Sequence, residues 1–268
     1  MAAPGFSERA FEFAFNAEYW NAHKAVICGM PHIPCQREEK WLGYDVLWQL
    51  TQLGGDIFGL ALQHKVSHRA TQRTKNNLAF WNQMGMAPYF RFGVDPEQFN
   101  ILQGWASLMP AGVAIRYCAP AFHTLAQMQA HYLAQTVLSS SIFIDITGAG
   151  QLVGGTHNAT YQPGNPNAYV FSNPKKLVSS SEPPRPSDQI FTVEAATIAL
   201  DYFVRPLLAQ GEASNVSKGF NEEIDVIRRR FAKVNEVPQS EQLFAKVALL
   251  GVVLGRYHGT TLIAQAVK

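Results

Sequence analysis

The chain has 268 residues, of which 47% are apolar and only 16% are charged. That length suits one large domain with a sizeable core, and the excess of apolar over charged residues excludes a disordered chain. The net charge is +2, and no apolar run approaches the roughly 18 residues of a membrane-spanning helix. Three cysteines are too few for a disulfide framework, and the first residues lack the features of a secretion signal. We therefore expect a soluble cytoplasmic protein without membrane association.

The first predicted element is an amphipathic helix over residues 6–22. Ser7 is a suitable N-cap, and no glycine or proline interrupts the segment. Phe11, Phe15 and Glu18 follow helical spacing, so a carboxylate shares the inward face with two aromatic rings. The helix is therefore expected to present Glu18 to the interior of the protein.

Two strands are predicted next, over residues 44–50 and 57–66, and the glycine pair between them predicts a hairpin. The pattern then alternates between helices and strands, which is typical of an α/β protein. The further elements are helix 69–84, strand 87–94, helix 96–108, strand 113–118, helix 124–138 and strand 141–146.

The composition changes after the last of these strands. Residues 147–190 are rich in glycine, proline and serine, so we expect loops with one short strand at Ala168–Phe171. Residues 191–268 show helical periodicity, including the apolar stretch Leu243–Leu262. We therefore divide the chain into a domain over 1–190 and a mostly helical extension. That extension is expected to pack on the domain, to form a homo-oligomer or to bind a regulatory or sensor protein.

Residues that carry chemistry flank the predicted hairpin. Asp45 lies at the start of its first strand, and Gln63 and Lys65 lie near the end of its second. Alternation along a strand places Gln63 and Lys65 on the same face. Antiparallel pairing would therefore bring an acid, an amide oxygen and a lysine to one edge of the sheet. Glu18 offers a second carboxylate, and Glu39 competes with it for that role.

Metal-assisted cleavage of a phosphodiester bond requires such a set of groups. Hard oxygen ligands from Asp45, Gln63 and Glu18 suit Mg²⁺ or Mn²⁺, which would lower the pKa of a bound water. Lys65 would orient the attacking water and stabilise the negative charge that develops on the phosphate. The hairpin therefore predicts a metal-dependent phosphodiesterase site.

A basic segment accompanies these residues. No Asp or Glu occurs from residue 57 to residue 94, whereas five Lys and Arg residues do. On the expected helix, Arg69, Arg73 and Asn76 recur at spacings that place them on one face, and Lys75 adds a further positive charge. The pattern predicts that these four residues contact the phosphate backbone of DNA.

Together these features resemble the PD-(D/E)XK, or restriction-endonuclease-like, nuclease superfamily. The resemblance rests on the early helix with its inward glutamate, on Gly43-Tyr44-Asp45 and on Gln63-His64-Lys65 across a glycine-containing hairpin. It covers roughly residues 6–95 and extends more loosely to residue 146. It implies an αβββαβ core, with a mixed sheet flanked by helices, and a divalent-metal-dependent endonuclease that acts on DNA.

The resemblance also implies roles for individual residues. Asp45 matches the metal-binding aspartate of the family, Lys65 its catalytic lysine, and Glu18 the helix glutamate that some branches use. Gln63 stands where most branches carry Asp or Glu, although a Q-x-K form recurs in active members. The expected setting is prokaryotic defence against phage or plasmid DNA.

Two alternatives to a nuclease stay open at this point. The first alternative is a catalytically inactive subunit that binds nucleic acid or a partner protein. Gln63 favours it, because a glutamine at this position removes one negative charge from the expected site. The second is a small-molecule enzyme of unrelated fold that uses the loops around His123 and His157. A wholly parallel sheet with helices on both faces would favour this second alternative.

Overall fold

The structure is a computed structural model that describes residues 1–27, 30–36, 39, 42–51, 57–108, 113–147, 149–172, 175–181 and 229. Over these residues the fold is mixed α/β, with a curled sheet of nine strands and four α-helices. No helix in the described part of the chain is long and apolar enough to cross a membrane. The predicted domain boundary at 190 and the predicted C-terminal helices lie outside the described residues, apart from Arg229.

Helix α1 spans Glu8–His23 and begins where the sequence predicts. The Ser7 side chain caps it by accepting the N–H of Ala10 at 3.2 Å. Its buried face packs against the sheet, where the Tyr19 ring lies 5.0 Å from the Trp48 ring. The apolar spacing of the helix thus fixes its position beside the predicted hairpin.

The remaining elements follow in chain order. The strands are β1 (Val46–Thr51), β2 (Ile57–His64), β3 (His68–Ala70), β4 (Tyr89–Val94), β5 (Val113–Pro120), β6 (Ser141–Asp145), β7 (His157–Tyr161), β8 (Asn167–Phe171) and β9 (Lys176–Ser181). The helices are a 3₁₀ turn at Lys75–Asn77, α2 (Leu78–Gln83), α3 (Pro96–Leu108) and α4 (Leu125–Ala134).

The sheet has the strand order β1-β2-β5-β6-β9-β8-β7-β4-β3. The predicted hairpin is present as β1 and β2, and every neighbouring pair is antiparallel except β2 with β5. The sheet is therefore mixed, which is not the wholly parallel arrangement expected for the small-molecule enzyme. The strand parallel to β2 is β5, whereas β3 and β4 lie at the opposite end of the sheet.

The sheet curls so that strands distant in its order come into contact. The Tyr161 hydroxyl in β7 donates a hydrogen bond to the Pro120 carbonyl in β5 at 2.6 Å. The rings of Phe92 in β4 and Tyr117 in β5 lie 5.5 Å apart. These buried aromatic contacts fill the interior of the curl.

The predicted helix over residues 69–84 is wrong in its first half. Arg69 lies in β3, which pairs with β4, and the α-helix begins only at Leu78. The Asn77 side chain accepts the N–H of Thr74 at 2.7 Å and donates to the Gln72 carbonyl at 3.0 Å. This local bonding stabilises a turn before the helix, because Asn competes well for nearby backbone groups.

The prediction of a single strand within residues 147–190 is also wrong. The predicted strand is present as β8, but β7 and β9 flank it on either side. Both additional strands are polar, and β9 contains three consecutive serines. Their sequences alone do not predict strands. The two strands form because pairing with β4 and β6 supplies their backbone hydrogen bonds.

Candidate active site

The hairpin brings two of the predicted site residues into direct contact. Asp45 immediately precedes β1, and its N–H donates to the Leu62 carbonyl at 2.8 Å. The Gln63 amide nitrogen donates to both carboxylate oxygens of Asp45, at 2.9 and 3.0 Å. The His64 N–H adds a third hydrogen bond to the Asp45 carboxylate, at 2.6 Å. Asp45 is thus held firmly by the end of β2.

The Gln63 amide has the opposite orientation from the one that a metal site requires. Its side chain is fully buried, and its carbonyl oxygen accepts the side-chain N–H of Gln98 at 2.9 Å. Gln98 lies in the first turn of α3, where Asp95 accepts its backbone N–H at 2.9 Å. For the Gln63 carbonyl to face Asp45, the amide would have to rotate by half a turn.

Lys65 lies just beyond β2 and is directed towards the start of α1. Its ammonium nitrogen is 3.7 Å from a carboxylate oxygen of Glu8, and 17% of its side chain is exposed. Its backbone N–H donates to the Cys118 carbonyl at 2.9 Å, which ties this position to β5. The lysine is therefore held near the Asp45 end of the hairpin by both its backbone and its side chain.

Several carboxylates concentrate around this position. Burial raises the pKa of Glu8, Glu12 and Glu39, and the negative charge of Asp45 raises each of them further. Lys65 opposes this effect on the pKa of Glu8 and of Glu39. Burial is the largest cause of each raised pKa, and Lys65 lowers the pKa of Glu8 by more than Asp45 raises it.

A cavity of about 550 Å³ opens beside these carboxylates. Glu12, Glu39 and Asp45 line it, together with Arg9 and Asn16. A neighbouring cavity of about 670 Å³ shares Glu39 and continues past Asp95, Glu97 and Gln98. Solvent-accessible space thus runs along the whole acidic edge formed by α1, the hairpin and the start of α3.

The structure does not bring Glu18 into this cluster. Its carboxylate accepts the Val137 N–H at 2.7 Å, and the residue is 8% exposed. The inward face that the sequence predicts for Glu18 is real, but that face meets the core rather than the cavity. Glu12 lines the cavity instead, and Glu8 pairs with Lys65; their i, i+4 spacing, which puts them on one face of α1, was the available signal.

The four predicted DNA contacts do not share a helix face. Arg69 lies in β3 with its guanidinium 6.0 Å from the Phe90 ring, on the face opposite His68. Arg73 is exposed in the following turn, and Lys75 and Asn76 are exposed in the 3₁₀ turn. The predicted basic stripe is therefore not formed, because β3 replaces the first turn of the expected helix.

The two histidines of the small-molecule alternative lie apart from the acidic cavity. His157 is buried in β7, where its ring donates to the Val153 carbonyl at 3.0 Å. His123 is half-buried before α4, and burial lowers its pKa. Their contacts are those of structural residues in a strand and a connecting loop.

The acidic cavity carries the type of oxygen ligand that divalent cations prefer. Carboxylates from Asp45, Glu12 and Glu39 are hard oxygen ligands, and their mutual repulsion would be relieved by a cation. Within the described ranges, no three His, Cys, Asp or Glu side chains are close enough to hold one ion together. Side-chain rotation would therefore have to accompany binding. No family model, curated protein or solved structure matches this chain.

Proposed function

We propose that this chain is a divalent-metal-dependent nuclease that hydrolyses phosphodiester bonds in DNA. The observation that supports it is the contact between Asp45 and Gln63 at one end of the hairpin, beside a cavity lined by carboxylates, with Lys65 paired to Glu8 just beyond β2. An aspartate, an amide and a lysine in this order suit the resemblance to the PD-(D/E)XK superfamily. Association with prokaryotic defence and with a sensor protein stays a prediction from that resemblance.

The roles follow from the contacts. Asp45 would hold Mg²⁺ or Mn²⁺ together with Glu12 or Glu39, in place of the expected Glu18. When bound, such an ion lowers the pKa of a coordinated water and neutralises charge on the phosphate. Lys65 would donate to a phosphate oxygen in exchange for its ion pair with Glu8. Gln63 fixes the Asp45 carboxylate by donating to both of its oxygens.

One observation favours an inactive subunit of the same fold as the second candidate. The Gln63 amide presents its N–H groups to Asp45 and its oxygen to Gln98, so it serves the packing between β2 and α3. In that case the chain would bind DNA in a salt-sensitive manner without any need for metal.

Plasmid cleavage in Mn²⁺ or Mg²⁺ tests the proposal, with EDTA as the metal-free condition. Lys65→Ala is expected to reduce the rate by about 100-fold or more, because one electrostatic contact to the developing charge is lost. Lys24→Ala removes an exposed lysine after α1 and is the matched control. Equal cleavage by Lys65→Ala and the wild type would place the active site elsewhere. Metal-independent binding without cleavage would favour the inactive subunit.

A further inference from the structure

Charge is divided unevenly between the two ends of the sheet. The segments 57–94 and 147–181 contain no Asp or Glu, and they contribute β3, β4, β7, β8, β9 and α2. The first segment also contains β2 and carries five Lys and Arg residues, of which Lys65 belongs to the candidate site, and the second segment carries two. The carboxylates of the candidate site lie on α1, before β1 and at the start of α3. Strands β3, β4, β7, β8 and β9 carry net positive charge and lie far from β1 and β2 in the strand order, although Asp95 follows β4 directly and the curl brings the Phe92 ring of β4 to 5.5 Å from the Tyr117 ring of β5.

Helix α2 covers part of the outer face at this end of the sheet. The Trp81 and Tyr89 rings lie 6.1 Å apart, and the Thr160 hydroxyl lies 3.5 Å from the Met84 sulfur. These contacts cover outward-facing residues of β4 and β7. In the described part of the chain, the Gly93 end of this face has no such cover.

The row beside the part that α2 covers consists of Gly93, Asn158 and Phe171, of which α2 contacts Phe171 through the Phe80 ring. The strand register places these three residues opposite one another on β4, β7 and β8, so their side chains share one face. A Cβ built at Gly93 would meet no atom within 4 Å, and Asn158 and Phe171 are both partly exposed. A ligand strand could therefore approach the sheet closely along this row.

Two aromatic rings lie between two cations along the edge of this row. The Arg91 guanidinium lies 4.6 Å from the centre of the Phe80 ring, and the Phe80 and Phe171 rings lie 4.3 Å apart. The Lys175 ammonium lies 5.7 Å from the Phe171 ring and also contacts the Gln83 side chain. Among the described residues, neither Arg91 nor Lys175 forms an ion pair with a carboxylate. We call Phe80, Arg91, Asn158, Phe171 and Lys175 the cation–aromatic face.

We propose that the cation–aromatic face binds single-stranded nucleic acid. Arg91 and Lys175 contact the phosphates, and an unpaired base stacks against Phe171, with Asn158 available to hydrogen-bond a base edge. Aromatic rings flanked by cations favour a single strand, because the base faces of a duplex are already stacked on each other. The inference rests on the proposed function for its biological meaning, since it supplies the surface that holds the substrate strand. Binding itself needs no catalysis and is measured separately.

Fluorescence anisotropy of a labelled oligothymidylate of about 20 nucleotides, longer than one such binding surface, tests the proposal. The full-length protein is used in EDTA, so that cleavage does not interfere. Arg91→Ala and Lys175→Ala are each expected to lower the slope of log affinity against log salt by about 0.7. Lys24→Ala is the matched control and keeps the wild-type slope. Phe171→Leu is expected to weaken binding of the single strand about tenfold while binding of a duplex of equal length stays unchanged.

Wild-type salt slopes in both cation variants would overturn the proposal, as would an equal effect of Phe171→Leu on single strand and duplex. Melting temperatures establish that each variant is folded, and Lys175→Glu, at an exposed position, decides the outcome if Arg91→Ala does not fold. Binding through this face without cleavage in Mn²⁺ would refute the proposed nuclease alone. Cleavage by a protein whose face variants bind normally would refute this inference alone.

Discussion

Substituting Gln63 by glutamate perturbs the candidate site with little change in shape. The wild-type amide is fully buried and donates to both oxygens of Asp45, at 2.9 and 3.0 Å. Glutamate removes both donors and places a second carboxylate directly against Asp45. We expect Gln63→Glu to destabilise the protein at neutral pH and to make its stability strongly dependent on pH.

The expected loss of stability is set by the less costly of two states of the variant: both carboxylates charged, or the new glutamate protonated. Two unit charges about 4 Å apart repel each other by about 4 kcal/mol at an effective dielectric constant near 20. Protonating a glutamate of ordinary pKa, about 4.3, costs about 3.7 kcal/mol at pH 7, at about 1.36 kcal/mol per pH unit. The less costly state limits the penalty, so Gln63→Glu should lower the free energy of unfolding by about 4 kcal/mol at pH 7.

The sign of the pH dependence follows from the same reasoning. The Asp45 charge raises the pKa of the new carboxyl in the folded protein, so the folded state binds the proton more tightly than the unfolded state does. Stability is therefore fully present below the ordinary carboxyl pKa and is lost as the pH rises through the raised value. The variant should approach wild-type stability as the pH falls towards about 4.3.

Urea unfolding in EDTA at pH 5 and pH 7 measures this effect. Gln63→Met is the matched control, because it removes the donors without adding charge, and it should cost about 2 kcal/mol at both pH values. Added Mn²⁺ should restore part of the stability of Gln63→Glu at pH 7, since the enlarged acidic site binds a cation. Equal stability of Gln63→Glu and the wild type at pH 7 would refute the contact between the Gln63 amide and Asp45.

Three further substitutions test the surroundings of the site. Glu18→Ala should lower the free energy of unfolding by about 2 kcal/mol, because the Val137 N–H loses its acceptor; cleavage per folded molecule should stay at the wild-type level. Glu39→Gln should stabilise the protein at pH 7 but not below pH 4.5. Burial and the charge of Asp45 raise the pKa of Glu39, so the folded state favours its neutral form. Urea unfolding over a series of pH values measures this effect. Arg116→Ala should cost about 3 kcal/mol, because it leaves the Asp145 carboxylate, 2.8 Å from the guanidinium, without its partner; a double-mutant cycle with Asp145→Ala measures the coupling.

The features that the sequence predicts well depend on local interactions. Helix α1 is predictable because Ser7 caps it and its apolar residues follow helical spacing. The hairpin is predictable because glycines separate two apolar strands, and its register then brings Asp45 next to Gln63. The position of Lys65 follows from the same register. Half of the candidate site is therefore encoded within about twenty residues of sequence.

The features that the sequence does not predict depend on distant partners. The orientation of the Gln63 amide is set by Gln98, which is 35 residues away. The burial of Glu18 is set by Val137, which is 119 residues away. Strands β7 and β9 are too polar to be recognised alone and form because neighbouring strands supply their backbone partners. Local pattern carries no information about any of these three contacts.

The separation of charges reconciles the two proposals. A metal-dependent nuclease has to keep carboxylate ligands and bind a polyanion, and these two requirements oppose each other electrostatically. In this fold the carboxylates surround the cavity between α1 and the hairpin, whereas the segments 57–94 and 147–181, which form most of the other end of the sheet, contain no Asp or Glu. A nucleic-acid strand should therefore bind the cation–aromatic face without metal, and should enter the acidic cavity only after a cation has neutralised it. Metal-independent binding and metal-dependent cleavage are then separate properties of two surfaces on one chain.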